Sequence, residues 1–151
     1  MQKRLFISLM LALFITSCAP PPQPGEPVTH ATACDVANND KRVSLEGYPR
    51  LRGLLSFVSD DFAVDFFEQP QGGGDPISVY LTVGTGPNQV ENLPDNYTDD
   101  DLRIHTNTNE VVTTDTRIRA HGTLSVSEPE PGNVVCFITA VDLIEAAPAG
   151  N

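Results

Sequence analysis

The chain has 151 residues, with 20 Asp and Glu against 9 Lys and Arg, and carries a formal net charge of -11 at pH 7. This length suits one domain with a single hydrophobic core and is too short for two. The strong negative charge disfavours nucleic-acid binding, because contacts with phosphate require Lys and Arg.

The amino-terminal residues have the pattern of an export signal. Lys3 and Arg4 precede an apolar run at residues 5–15, which is too short for a membrane-spanning helix of about 20 residues. The run ends in the sequence ITSC at Cys18, which resembles the lipobox of bacterial lipoproteins. The resemblance implies removal of residues 1–17 as a signal peptide and acylation of Cys18. The alternative is an ordinary secreted protein in which this cysteine occurs by chance.

The lipobox resemblance also implies a location. Two or more acyl chains anchor a protein stably to a membrane, so the expected protein is held in the cell envelope by its lipids, without a membrane-spanning helix. Ala19 follows the lipid cysteine where some lipoproteins have Asp. In a host with two membranes, this resembles the pattern that directs a lipoprotein to the outer membrane, facing the periplasm.

The segment that follows the predicted lipid site, residues 18–33, is expected to be a tether. Residues 19–27 contain five prolines and no apolar periodicity, which favours an extended polyproline II conformation. The segment therefore reads as a stiff spacer between lipid and domain. A ligand for a proline-recognising protein is the alternative.

The two remaining cysteines, Cys34 and Cys136, are expected to form a disulfide. Outside the cytoplasm a pair of cysteines most economically bonds to itself. A loop of about 100 residues closed in this way contributes about 4 to 5 kcal/mol in the chain-entropy model. A metal or redox pair is the alternative, but the two cysteines lack the close spacing of such sites.

The rest of the chain has the two-residue alternation of half-buried β-strands. The clearest case is residues 116–126, where Ile118, Ala120, Leu124 and Val126 fall on one face. Five strands are predicted in all, at residues 42–48, 62–68, 77–83, 111–126 and 134–144. The charged middle of the fourth strand, at residues 114–116, indicates a break.

Glycines interrupt the first and fourth predicted strands at Gly47 and Gly122. A glycine inside a strand indicates a bulge or sharp bend, as at the corner of a small closed barrel. This strand order and these glycines resemble the oligonucleotide/oligosaccharide-binding (OB) fold. The resemblance implies an all-β domain with one short helix, a five-stranded Greek-key barrel, at residues 34–147. Residues 148–151 are expected to be a frayed tail. An immunoglobulin-like sandwich is the alternative, but seven strands are not found and the chain has no Trp.

The connection before the fourth strand contains an acidic run at residues 95–101. Thr98 and Asp101 have the spacing of a helix capping box, which predicts a short helix at residues 99–104. Calcium binding is the alternative interpretation of the same aspartates, although the alternating Asp register of calcium loops is missing.

The sequence contains no motif of a known catalytic centre. The three histidines, His30, His105 and His121, are not spaced as zinc ligands, and a nucleophile elbow and a phosphate loop are both missing. The expectation is a non-enzymatic protein with no cofactor, no metal and no catalytic residue. An uncharacterised hydrolase is kept as an alternative, and its signature would be a cleft where a histidine meets a carboxylate.

Two polar faces are candidates for binding. Arg117, Arg119 and His121 form a basic stripe, read either as an exposed face paired with neighbouring carboxylates or as an anion contact. OB domains commonly bind ligands on the outer face of their second and third strands. Here that face is predicted to carry Asp65, Phe67, Tyr80 and Thr82.

Exposed aromatic side chains flanked by polar groups suit a sugar ring or a protein partner. The same aromatic rings are alternatively covered by the loop at residues 84–94. The expected function is a lipid-anchored module of the envelope that binds a protein or a small ligand such as a glycan. A structural subunit of an envelope assembly is the second hypothesis.

Overall fold

The structure is a computed structural model and describes residues 20–53, 57–58 and 60–148. The predicted signal peptide, Cys18 and the last three residues of the predicted tail lie outside these residues. The strands, in chain order, are β1 (Glu26–Val28), β2 (Arg42–Leu51), β3 (Phe57–Val58), β4 (Asp61–Phe67), β5 (Ile77–Thr82), β6 (Ile104–His105), β7 (Val111–Val112), β8 (Ile118–Glu130) and β9 (Asn133–Ala146). One short helix, α1 (His30–Ala33), and 3₁₀ turns at Val36–Asn38 and Asp99–Asp101 complete the fold.

Five of these strands close a barrel in the order β2, β8, β9, β5, β4. Closure is made by β2, which pairs with β8 through residues 42–47 and with β4 through residues 48–51. The β5–β9 pair is parallel and the other neighbours around the barrel are antiparallel. This is an OB-like Greek-key arrangement, so the predicted fold class is confirmed.

The barrel core follows from the alternation of the strands. Phe62, Val64 and Phe66 of β4 point inward and are almost fully buried, as are Ile118 and Leu124 of β8. Burying one such side chain contributes about 1.5 to 3 kcal/mol relative to leaving it exposed. The apolar face that the alternation predicted is therefore the face that fills the barrel.

Gly47 and Gly122 lie where the backbones of neighbouring strands come close together. A Cβ atom on Gly47 would be 3.0 Å from the carbonyl oxygen of Phe67, and one on Gly122 would be 2.5 Å from that of Thr139. Opposite Gly122, the β8–β9 register shifts, and Ala140 of β9 adopts a φ of 50°. The irregularity predicted at Gly122 therefore lies in the partner strand, and the missing side chain makes room for it.

The connection between β5 and β8 differs from the prediction in one respect. The expected helix at residues 99–104 is only the turn Asp99–Asp101, with the carboxylate of Asp101 accepting from the Thr98 amide at 2.7 Å. After it, Leu102 and Ile104 are fully buried, and this alternation favours extended chain that pairs as β6 with β7. The fourth predicted strand is broken between β7 and β8, as its charged middle indicated.

The amino-terminal segment is packed onto the barrel. β1 runs parallel to β2, with Glu26 opposite Val43 and Val28 opposite Leu45. We call residues 23–29 the strap. Beyond it, Cys34 is bonded to Cys136 of β9 with a Cα–Cα distance of 5.5 Å, which confirms the predicted pairing. Folded structure therefore begins inside the segment expected to be a tether, at β1 and α1.

Candidate binding cleft

The polar face of β8 meets carboxylates from the two strands beside it. Arg119 lies opposite Glu46 of β2 and Glu145 of β9. The Glu46 carboxylate accepts from Nε of Arg119 at 2.9 Å, and its other oxygen lies 3.1 Å from Nη2 of Arg117. The basic stripe is therefore paired with neighbouring carboxylates, as one interpretation of the sequence expected, but the face is not exposed as that interpretation assumed.

His121 lies on the same outer face, yet its side chain is only 2% exposed, because the strap covers it. The Gly25 amide donates to Nδ1 of His121 at 3.0 Å. On the other side of the ring, Nε2 lies 3.0 Å from a carboxylate oxygen of Glu145. Nδ1 accepts and the carboxylate can only accept, so this arrangement assigns the neutral ring with its proton on Nε2.

Between the strap and this face lies a cleft of about 470 Å³. Its charged lining residues are Glu46, Glu68, Glu145, Arg117 and Arg119, and the histidines His30 and His121 also line it. Pro24, Pro27 and Val28 of the strap form the opposite, mainly apolar wall. Nε of Arg117 is buried and has no hydrogen-bond partner among the described residues. Such a donor costs about 1 to 3 kcal/mol unless an oxygen accepts from it.

The cleft contains the contact that would be expected of a hydrolase, a histidine beside a carboxylate. In His121 both ring nitrogens are engaged, by Gly25 and by Glu145. A second pair, His105 and Glu91, is similar, with Nε2 2.9 Å from Glu91 and Nδ1 3.0 Å from Oδ1 of Asn109. A general base needs an accessible lone pair, and in this arrangement both ring nitrogens of each histidine have a hydrogen-bond partner.

The predicted ligand-binding residues lie together on another face of the barrel. Register places Thr82 beside Asp61, Tyr80 beside Ala63, and Asp65 beside Ser78. Phe67 is half-buried at the end of β4. The prediction that these side chains share one face is therefore correct in its geometry, while binding there stays a prediction.

Contacts within the chain occupy much of this predicted face. Asp65 accepts from Nε of Arg52 at 2.7 Å and from the Ser78 hydroxyl at 3.1 Å. Thr82 donates to Asp61 at 2.6 Å, and the Tyr80 ring packs edge-on against Phe137. Ala63, which lies on the same face, is fully buried, so this surface is partly covered.

The acidic run at residues 95–101 is largely used in structural contacts. Asp99 accepts from Nη1 of Arg50 at 2.9 Å and from the Leu51 amide at 2.8 Å. Asp101 holds Thr98. Among the residues that the structure describes, no group of three or more His, Cys, Asp or Glu side chains is arranged to hold a metal ion.

The cleft residues that were not singled out from the sequence include Gly25, Ser44, Glu46, Glu68 and Glu145. Ser44 and Glu46 alternate with the buried residues of β2, so pairing β2 with β8 would have placed them beside the basic stripe. Glu145 falls just past the predicted end of the last strand. Gly25 gives no signal, since nothing in a proline-rich segment predicts that it packs against a barrel.

Comparison of the chain with models of known protein families gives no match. Comparison with curated proteins gives no significant match either. The fold and the cleft thus define the class of protein on their own: an OB-like barrel whose amino-terminal segment is strapped over a charged outer face. In the described part of the chain, no helix has the length and apolar character needed to cross a membrane.

Proposed function

We propose that this protein is a non-catalytic, lipid-anchored module of the cell envelope that binds a small polar ligand, such as a glycan, or a segment of a protein. The observation that carries the proposal is the cleft beneath the strap. Its volume of about 470 Å³ falls within the range of about 300 to 1,000 Å³ of small-molecule sites. Several of its polar groups, those of Ser44, Glu46, Arg119, His121 and Glu145, project from strands of a closed barrel, which holds them in fixed positions.

The chemistry of the cleft favours a ligand with both donor and acceptor groups. Carboxylates of Glu68 and Glu145 and guanidinium groups of Arg117 and Arg119 line the same space. Glu46 already neutralises both arginines in part, so a simple anion gains little there. Hydroxyl-rich sugars or zwitterionic peptides match such a mixed lining, and the buried Nε of Arg117 is a donor for one of their oxygens.

The location is proposed from the amino terminus. The basic start, the short apolar run and the lipobox-like sequence ending at Cys18 support a lipid anchor, and in a host with two membranes they support the outer membrane facing the periplasm. The Cys34–Cys136 bond is typical of proteins outside the cytoplasm and agrees with this location.

The binding proposal is tested by NMR, with a panel of envelope oligosaccharides and short zwitterionic peptides added to the labelled protein. We expect chemical shift changes at Arg117, Arg119 and Glu145, and affinity at least tenfold weaker in Arg117→Met. Lys41→Met is the matched control, because Lys41 is exposed and lies outside the cleft. Shifts confined to Asp65, Phe67, Tyr80 and Thr82 would instead place binding on the predicted strand face.

The anchor is tested by fractionating cells that express the full chain. We expect the wild-type protein in the membrane fraction and Cys18→Ala in the soluble envelope fraction. Mass spectrometry of the amino-terminal peptide should show acyl chains on Cys18. An unmodified peptide that begins upstream of residue 18 would contradict the anchor without bearing on the cleft.

A structural role in an envelope assembly is the second candidate, because the β8–β9 hairpin projects from the barrel. Its exposed residues include Val134 and Val135, which are 45% and 41% exposed. Cross-linking from cysteines placed at residues 128 and 134 tests this role. Reproducible capture of one envelope protein, lost in Val134→Asp, would favour assembly over ligand binding.

A further inference from the structure

The strap is attached by few contacts. Within β1, Glu26 and Pro27 are exposed and only Val28 packs against the core. Pro27 has no amide hydrogen to donate to the strand ladder. Outside the ladder, the Gln23 carbonyl accepts from Nε of Arg42 at 2.7 Å, and the Gly25 amide donates to His121. Segments with so few apolar contacts open locally at low free energy.

The closed position of the strap over the cleft depends on close packing at Gly25. A Cβ atom there would lie 2.2 Å from the carbonyl carbon and oxygen of Val43. Only glycine brings the backbone near enough to β2 for the Gly25 amide to reach Nδ1 of His121. Gly25 therefore holds the strap through two contacts, one with the Val43 backbone and one with the imidazole of His121.

The contact between Gly25 and His121 exists in one protonation state only. With Nδ1 unprotonated, the ring accepts from Gly25. With Nδ1 protonated, two donors face each other at a position where the His121 side chain is 2% exposed. Once the strap lifts, an Nδ1–H group can donate to water, so a proton at Nδ1 is compatible with the open strap and breaks the Gly25 contact of the closed one.

Charged and titratable groups surround His121 on the elements packed against it. The groups that face or flank His121 are Glu145 of β9, Arg119 of β8, Glu46 of β2, Arg117 before β8, Glu68 after β4, and His30 of α1. The Glu145 contact is made through Nε2 and persists in both states of the strap. His30 bonds the Phe66 carbonyl through Nε2 at 3.0 Å, as a donor, and a second proton on that ring leaves the bond intact.

We propose that the strap opens and closes over the cleft, and that proton uptake at Nδ1 of His121 favours the open form. Opening removes the apolar wall of the cleft and exposes Ser44 and His121, which are 4% and 2% exposed when the strap is closed. The disulfide at Cys34 limits how far the segment can peel away. The role of the strap in controlling ligand access rests on the proposed function, whereas the strap can open without any ligand.

The test is amide hydrogen exchange of the mature full chain at pH 7.5 and pH 5.5, corrected for intrinsic rates, across the range in which histidine is the usual side chain to change charge. We expect the amides of Gly25 and Val28 to lose at least tenfold in protection at pH 5.5, while those of Leu124 and Ile138 keep theirs. Strap protection that does not change with pH would overturn the proposal.

Two variants and one spectrum sharpen the test. His121→Asn places a non-titrating oxygen near the position of Nδ1, so strap protection should become independent of pH. A loss equal to that of the wild type would overturn the role of His121. Gly25→Ala should abolish strap protection at both pH values, and retained protection would contradict the closure geometry.

In the wild-type protein, the ring nitrogen resonances of His121 should titrate with the same midpoint as strap protection. Different midpoints would overturn the proposal even where a variant fails to fold. Because no ligand is added, failure here leaves the binding proposal standing, and failure to bind leaves the strap proposal standing.

Discussion

Glu46 is shared by two guanidinium groups, those of Arg117 and Arg119, and about a quarter of its side chain is exposed. Removing its charge leaves the guanidinium groups of Arg117 and Arg119 side by side on one face, with Glu145 3.9 Å from Nη1 of Arg119. We expect Glu46→Gln to lower the free energy of unfolding by about 1 kcal/mol, as for partly exposed ion pairs in a network. Urea denaturation measures this, with exposed Glu26→Gln as the control that should change stability little.

Gly122 is the residue whose replacement should disturb the barrel most directly. A Cβ atom there would lie 2.5 Å from the Thr139 carbonyl oxygen and 2.7 Å from Cγ2 of Ile138. Backbone cannot move away as a long side chain can, so we expect Gly122→Ala to cost about 1 to 3 kcal/mol. Gly53→Ala is the matched control, because nothing lies within 4 Å of its Cβ position. Equal stabilities of the two variants in urea would contradict this account of Gly122.

At the scale of elements, the β8–β9 hairpin has a covered base and an exposed end. Leu124 and Ile138 are fully buried, while residues 127–135 are all exposed. We expect amides of this outer part to exchange at least 100-fold faster than those of Leu124 and Ile138, because exposed ladders open at low free energy. Mass spectrometry or NMR of exchange measures the gradient. Uniform protection along both strands would mean that something covers the hairpin end.

The barrel strands were predictable because one face of each is buried. Ile118, Ala120 and Leu124 alternate with polar residues, and a slip of one residue would turn them all outward. The strap was not predictable in this way, since Glu26, Pro27 and Val28 show no alternation. Its position depends on the fit of Gly25 against Val43 and on one hydrogen bond to His121. Local sequence therefore specified the barrel, whereas only three-dimensional contacts reveal the cleft that the strap completes.

For the whole molecule, the Cys34–Cys136 bond joins residues 102 positions apart. Cross-linking a loop of that length restricts the unfolded chain, by about 4 to 5 kcal/mol in the entropy model. We expect Cys34→Ala/Cys136→Ala to unfold at a clearly lower urea concentration than the wild type. The wild type under reducing conditions is the control and should fall to the same midpoint. A double variant as stable as the oxidised protein would show that the bond constrains little.

The parallel pairing of β1 with β2 also limits the distance between the membrane and a barrel that carries the proposed lipid anchor. With a lipid on Cys18, the tether between the acylated cysteine and the first bonded residue, Gln23, is residues 18–22, which spans about 16 Å at 3.1 Å per residue. With the proposed lipid anchor, a barrel on so short a tether would lie directly above the lipid headgroups. It would meet only molecules that belong to the same membrane or reach down to it. If the strap detached as far as Cys34, the tether would extend to about 50 Å. Molecules farther from the membrane would then come within reach of the barrel.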